Sequence, residues 1–124
     1  MNTINSIGLW DASNLNQIKL INTAKVNYTK ILDITWINNE EFIGVGSKYI
    51  KHFKIKDGNI TSSKGVFGKL KIDPLCSVCY AFNKIFTGTT KGNIIQWIEG
   101  KIQNINNICK NGLYIVFIIM KKKS

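Results

Sequence analysis

The sequence repeats itself with a period of 44 residues, and this repeat limits the possible folds more than any other feature. When the chain is shifted by 44 residues without a gap, apolar residues or glycines coincide at six positions. The matched pairs are Ile34 and Val78, Trp36 and Tyr80, Phe42 and Phe86, Gly44 and Gly88, Ile50 and Ile94, and Phe53 and Trp97. Such a period indicates one supersecondary unit that occurs more than once and packs against its own copies.

The repeat extends towards the N-terminus. Residues 7–10 precede residues 50–53 by 43 positions, and residues 50–53 precede residues 94–97 by 44. Units of about 40–45 residues are typical of the four-stranded blades of a β-propeller. The period therefore predicts propeller blades, with the third strand of a blade present three times.

Short apolar runs within each unit predict β-strands, because they are rich in β-branched and aromatic residues and are separated by turn residues. Asp57-Gly58, Lys91-Gly92 and Glu99-Gly100 are predicted turns, since glycine tolerates the positive φ that such turns need. The predicted strands are residues 31–36, 42–46, 49–55 and 60–63 in the first unit and residues 75–82, 85–89, 93–98 and 101–105 in the second.

The motifs within the repeat resemble WD40 repeats. Residues 10–11 are the Trp-Asp dipeptide for which these repeats are named, and residues 86–97 resemble their strand, glycine turn and Ile-x-x-Trp ending. Residues 42–53, followed by Ser63-Lys64-Gly65, look like the echinoderm microtubule-associated protein-like family. The resemblance covers residues 7 to 118.

This resemblance implies an all-β chain, an incomplete WD40-type β-propeller with two complete four-stranded antiparallel blades and partial blades at both ends. Propellers close with about four to eight blades, so we expect further blades or a partner chain to complete the ring. The predicted divisions are the end of an incomplete blade (1–28), a first complete blade (29–70), a second complete blade (71–108), the first strand of a truncated blade (109–120) and a basic tail (121–124).

Two departures from the regular repeat are visible. Ser47 and Lys91 stand where many WD40 repeats have Asp in the turn before the Ile-x-x-Trp strand, and no Gly-His pair precedes either blade. The buried hydrogen-bonded tetrad of regular WD40 repeats therefore does not follow from the resemblance. The resemblance implies a non-catalytic protein-interaction module or scaffold that binds tubulin or microtubules.

The charge of the chain favours an acidic partner. The net charge is +10, and all 17 basic residues are lysines. The possible basic contact surface comprises Lys48, Lys51, Lys54, Lys56 and Lys64. One alternative is a basic β-domain that binds RNA or another polyanion, although the lack of Arg disfavours a sequence-specific reader. Another is a merely solvated face, because Lys, Asn and Ile supply 54 of the 124 residues.

No set of residues predicts catalysis, a metal site or a cofactor. Cys76 and Cys79 have the CxxC spacing, but a metal would need two more ligands and only Cys109 and His52 are left. His52 has no matched acidic residue and corresponds to Gln96 in the next unit, so a structural or surface role is expected. The repeat-matched aromatic residues are expected in the core. We therefore expect a binding module and not an enzyme.

The expected location is the cytoplasm, on microtubules or in a cilium. Residues 1–8 lack a basic start followed by an apolar run, so no secretory signal is predicted. The longest apolar stretch, residues 113–120, is far shorter than the ~20 residues needed to cross a bilayer, and no membrane partner is expected. The cysteines are then expected to be reduced thiols.

Overall fold

The computed structural model describes residues 5–26, 30–47, 49–65 and 71–107. In these residues the backbone forms ten β-strands and no helix, so the all-β prediction is confirmed for this part of the chain. The strands are β1 (Asn5–Asp11), β2 (Lys19–Val26), β3 (Ile31–Asn38), β4 (Glu41–Gly46), β5 (Tyr49–Lys56), β6 (Asn59–Lys64), β7 (Leu75–Ala81), β8 (Lys84–Thr89), β9 (Asn93–Ile98) and β10 (Lys101–Asn107).

The described strands form three antiparallel sheets. β1 and β2 form an N-terminal hairpin, β3 to β6 form a middle sheet, and β7 to β10 form a distal sheet. In both four-stranded sheets each strand pairs with its neighbours in the chain, so each sheet is a simple meander. The prediction of two successive four-stranded antiparallel units is confirmed, and the described sheets are open and not closed into a barrel.

The strand predictions agree closely with the structure where both exist. Each of the eight strands predicted between residues 31 and 105 is present, with ends that differ by at most two residues. The predicted strand at residues 7–10 lies within β1, whereas β2 was not predicted as a strand. The predicted divisions 109–120 and 121–124 lie outside the described residues.

The middle sheet is covered on both faces, which explains why β4 is buried almost throughout. Successive residues of a strand point to opposite faces. Phe42 therefore packs against the hairpin, while its neighbour Ile43 packs against the distal sheet. The hairpin-side core consists of Val26, Phe42, Tyr49 and Phe53, and the core between the two large sheets consists of Ile43, Val45, Ile50, Leu75, Val78, Ile95 and Trp97.

Left-handed backbone conformations mark the tight turns. Asp57 and Gly58, with φ of 53° and 78°, join β5 to β6 as predicted. Phe82 and Asn83, with φ of 52° and 60°, join β7 to β8 although neither is glycine. Asn tolerates this region well, whereas an aromatic residue there is uncommon and its conformation is unfavourable. The exposed Phe82 is therefore held in place by the turn and not by its own preference.

The gap-free 44-residue register is wrong in one strand. Phe42 lies on the hairpin side of the middle sheet, but Phe86 lies on the outer face of the distal sheet, and Ile85 occupies the position that corresponds to Phe42. The matched pair Gly44 and Gly88 is displaced in the same way.

The physical reason is a pair of compensating changes in loop length. Five residues separate Trp36 from Phe42, whereas four separate the corresponding Tyr80 from Ile85. The turn between β8 and β9 contains one residue more than the turn between β4 and β5, so the 44-residue register is restored in β9.

Two hydrogen bonds, each between a side chain of one sheet and a backbone group of another, join the sheets. The amide nitrogen of Val78 in β7 donates to the Asp33 carboxylate in β3 at 2.9 Å. Asn22 in β2 donates through Nδ2 to the carbonyl oxygen of Gly58 at 2.8 Å, which fixes the hairpin to the turn between β5 and β6. These bonds hold each unit in a defined position against the next.

Candidate interaction surface

The four described lysines of the predicted contact surface do not share one face of the sheet. Lys48 lies outside the described residues. Lys51 and Lys64 face each other across β5 and β6, on the hairpin side of the sheet. Lys54 lies on the opposite face, because it is three residues after Lys51 in β5 and successive side chains of a strand point to opposite faces. The structure therefore divides the described lysines between two faces of the middle sheet.

Lys51 contributes little to any contact surface. Lys51 is only 8% exposed, and its ammonium nitrogen lies 5.4 Å from the centre of the Tyr49 ring. An ammonium group at this distance over an aromatic ring is attracted by the ring's electron density. By contrast Lys54, Lys56 and Lys64 are exposed and are able to meet a partner.

A polar cluster that sequence reasoning missed surrounds Glu41. Its Oε1 lies 3.1 Å from His52 Nε2 and 3.7 Å from Lys54 Nζ, and Asn38 donates a hydrogen bond to Oε2 at 2.7 Å. The expectation that His52 has no acidic neighbour is therefore wrong. The hydrogen bond from Asn38, with the nearby charges of His52 and Lys54, holds the pKa of Glu41 below its ordinary value.

The register of the β4–β5 hairpin creates this cluster. Glu41 pairs directly with Lys54, and His52 lies two residues further along the same face. Side chains opposite or diagonal to each other on adjacent strands are within reach. An alignment of β4 with β5 would have revealed the contact, whereas separation along the sequence concealed it.

A cleft of about 340 Å³ lies between the middle and distal sheets. Its apolar walls include Ile43, Ile50 and Trp97, and His52, Ser63 and Glu99 lie among its polar lining residues. The cleft supplies no activated nucleophile among the described residues.

The CxxC thiols occupy an irregular part of β7. The strand register shifts between Leu75 and Ser77, so Cys76 lies in a bulge, where its thiol contacts the Gly88 carbonyl oxygen at 3.4 Å. Cys79 is half-buried and pairs with Phe86 on the outer face of the distal sheet. Among the described residues no three His, Cys, Asp or Glu side chains are grouped closely enough to hold a metal ion. Cys109 lies outside the described residues.

An exposed apolar face is the second feature that sequence reasoning missed. Phe42, Phe53 and Trp97 are buried as expected for repeat-matched aromatic residues, but Trp36 is 55% exposed. Ile34, two residues before it on the same face, is 47% exposed. The expectation that all matched aromatic residues lie in the core is therefore wrong for Trp36.

Comparison with known protein families found no family model that matches this chain. The described residues include no helix that is long and apolar enough to cross a membrane.

Proposed function

We propose that this chain is a non-catalytic protein-interaction module, a two-blade part of a WD40-type propeller that belongs to a microtubule-associated protein and binds the acidic surface of tubulin. One observation supports this most directly. Two consecutive four-stranded meanders, related by the 44-residue repeat, pack face to face through an apolar core. Such stacking of equivalent blades is the architecture that the sequence resemblance implies.

The electrostatics of the outer strands support an acidic partner. Lys54, Lys56 and Lys64 are exposed on the last two strands of the middle sheet, with Thr61 and Ser62 exposed beside them. β6 is the last strand of the middle sheet and pairs only with β5 among the described strands. These exposed lysines attract an acidic surface over the Debye length, about 8–10 Å at physiological salt.

Co-sedimentation with microtubules tests the proposal. The chain is expected to pellet with microtubules at low salt and to be released as salt rises. Reversing the three lysines in Lys54→Glu, Lys56→Glu and Lys64→Glu is expected to weaken binding at least tenfold, because each exposed lysine adds attraction to the acidic surface.

The matched control reverses three exposed lysines elsewhere, in Lys19→Glu, Lys84→Glu and Lys101→Glu, with the same change in net charge. A smaller loss in the control supports a localised surface. Equal loss in both variants would show that only the net charge matters. No pelleting of the unaltered chain at any salt concentration contradicts tubulin binding, and retention of single-stranded RNA in a filter assay would then favour the polyanion alternative.

A further inference from the structure

β10 is the last strand of the distal sheet, and its side chains are largely exposed. Among the described strands it pairs only with β9. Six of its seven residues are exposed, and they include side chains on both faces of the strand. A strand at the end of a sheet presents one row of backbone N–H and C=O groups away from its neighbour, and a further strand is able to pair with that row. β10 therefore has the geometry that strand addition requires.

The charge pattern of β10 does not oppose such pairing. Edge strands are commonly kept from pairing by charged side chains, above all lysines. Residues 102–107 carry no charge, although the chain has 17 lysines, and Lys101 lies at the start of the strand. By contrast β6, the last strand of the middle sheet, ends in Lys64. The register of β10 shifts at Gln103, but residues 104–107 pair regularly with β9.

Residues 103–107 of β10 are nearly symmetric in sequence. They are Gln-Asn-Ile-Asn-Asn, an isoleucine with two amide residues on each side. When two copies of this segment pair antiparallel about Ile105, the two isoleucines lie opposite each other and Asn104 lies opposite Asn106. A shift of two residues, the smallest that keeps the same faces together, places isoleucine opposite an amide instead. One register therefore matches like with like.

We infer that β10 is a self-association edge, at which a second copy of this chain adds its own β10 antiparallel about Ile105. The two distal sheets then form one continuous sheet across both copies. The contact is isologous, because the same surface is used on each copy, so association stops at a dimer. The edge is separate from Lys54, Lys56 and Lys64, and the inference does not rest on the proposed function.

The faces of β10 suit this register. Ile105 pairs with the core residue Ile95, so it lies on the face towards the middle sheet, where it is 40% exposed. Asn104 and Asn106 point to the opposite face, because successive side chains of a strand alternate. A two-fold axis perpendicular to the sheet keeps each face on its own side. The two isoleucines cover each other on one face, and the asparagines meet on the other.

Amide side chains already bond between neighbouring strands of this sheet. Gln96 of β9 donates through Nε2 to Oε1 of Gln103 at 2.6 Å, and Asn107 donates through Nδ2 to Oδ1 of Asn93 at 2.8 Å. Rows of Asn and Gln side chains also stabilise stacks of identical strands. Asn104 opposite Asn106 of a second copy continues this pattern by one strand. A second copy supplies the amides and the isoleucine at the required spacing.

Salt distinguishes this contact from the proposed binding of tubulin. Each copy has a net charge of +10, so two copies repel each other, whereas the paired residues 103–107 carry no charge. Added salt screens the repulsion. Self-association is therefore expected to strengthen as salt rises, while attraction to an acidic surface weakens. Because the two responses have opposite signs, failure of one contact is distinguishable from failure of the other.

Sedimentation velocity of the full chain over a range of concentrations tests the inference. The weight-average mass is expected to rise and to level off at twice the 14.0 kDa of one chain. Ile105→Lys is expected to weaken the association about tenfold or more, because it replaces an apolar contact on the two-fold axis with two opposed ammonium groups. Ile98→Lys is the matched control, since Ile98 of β9 is 39% exposed and the change in net charge is the same. It is expected to leave the association nearly unchanged.

Mixing two variants tests the register itself. Ile105→Lys and Ile105→Glu chains are each expected to associate weakly, and their mixture is expected to regain the dimer because the axis places position 105 of one copy opposite position 105 of the other. Far-UV circular dichroism checks that both variants keep the fold. A mixture of folded variants that stays monomeric would overturn this register. An unaltered chain that stays at the mass of one copy at every concentration and salt, or equal weakening by Ile98→Lys and Ile105→Lys, would overturn the inference.

Discussion

Trp97 donates a hydrogen bond from its indole Nε1 to the hydroxyl of Thr87 at 2.8 Å, inside the core of the distal sheet. Both residues are almost completely buried. In the middle sheet the corresponding residues are Phe53 and Gly44, and the missing side chain of Gly44 leaves room for the Phe53 ring, 3.4 Å from the position of a Cβ. A donor and acceptor in one unit are thus replaced together by an apolar contact in the other.

This hydrogen bond predicts that substitutions of Trp97 and Thr87 have non-additive effects on the free energy of unfolding. Trp97→Phe is expected to lower the free energy of unfolding by about 1–3 kcal/mol, and Thr87→Val by a similar amount, because each removes one partner of a buried hydrogen bond. The double variant is expected to cost about 1 kcal/mol less than the sum of the single variants. Urea unfolding measures all four proteins, and strictly additive costs would contradict the coupling.

The bond between Asp33 and the Val78 amide predicts how firmly the two large sheets are joined. Asp33→Ala is expected to lower the free energy of unfolding by about 1–3 kcal/mol, because it removes a charge-assisted acceptor and leaves a backbone N–H without that bond. Asp33→Asn retains an oxygen and is expected to cost less. Glu40→Ala, at an exposed turn position, is the control in urea unfolding. If Asp33→Ala and the control lower the free energy of unfolding equally, Asp33 does not contribute to joining the two sheets.

Tyr49 predicts a loss of stability in alkali. Burial raises the pKa of its phenol to about 12, and its hydroxyl has no hydrogen-bond partner. The folded state therefore holds the phenolic proton more tightly than the unfolded state. The resulting stability is fully present below pH 10, the ordinary pKa, and is lost as the pH rises towards 12, at up to about 1.4 kcal/mol per pH unit.

Tyr49→Phe is the comparison that isolates this effect. It removes the buried hydroxyl without a partner, so at neutral pH it is expected to leave the stability unchanged or raise it by up to about 1 kcal/mol. Urea unfolding at pH 8, 10 and 11 gives the difference between the two proteins. A difference that stays constant from pH 8 to pH 11 would contradict the role of Tyr49.

The strands could be predicted from the sequence because their signals are local. Alternating β-branched and aromatic residues between glycine turns suffice to place β3 to β10 within two residues. β2 escaped prediction because its large apolar residues Leu20 and Ile21 are exposed and the side chains that face the middle sheet include the polar Asn22. Its position depends on contact with another sheet, which no local pattern records.

The register error has a different origin. Ile85 and Phe86 are adjacent and both apolar, so either one satisfies a match with Phe42. A shorter turn before β8 and a longer one after it cancel in the total length, and a comparison without gaps cannot detect them. The exposed face at Trp36 and the polar cluster at Glu41 were missed for a similar reason. The exposure of Trp36 depends on which strands cover its face, and the contact between Glu41 and His52 depends on the pairing of β4 with β5.

The Glu41 cluster predicts which neighbour controls the carboxylate. Asn38 has the largest effect on its lowered pKa, ahead of the charges of His52 and Lys54. Asn38→Ala is therefore expected to raise the pKa of Glu41 towards its ordinary 4.5 by more than Lys54→Ala does. NMR titration of the Glu41 side-chain carboxyl measures both variants directly.

Added salt separates the two contributions. The effect of Lys54, whose side chain is 64% exposed, is expected to fade in 1 M NaCl, where the Debye length falls to about 3 Å, while the direct hydrogen bond from Asn38 persists. Because the pKa is lowered in the folded state, the cluster stabilises the fold above pH 4.5 and loses this effect as the pH falls further. A larger pKa change in Lys54→Ala than in Asn38→Ala would show that charge, and not the hydrogen bond, controls Glu41.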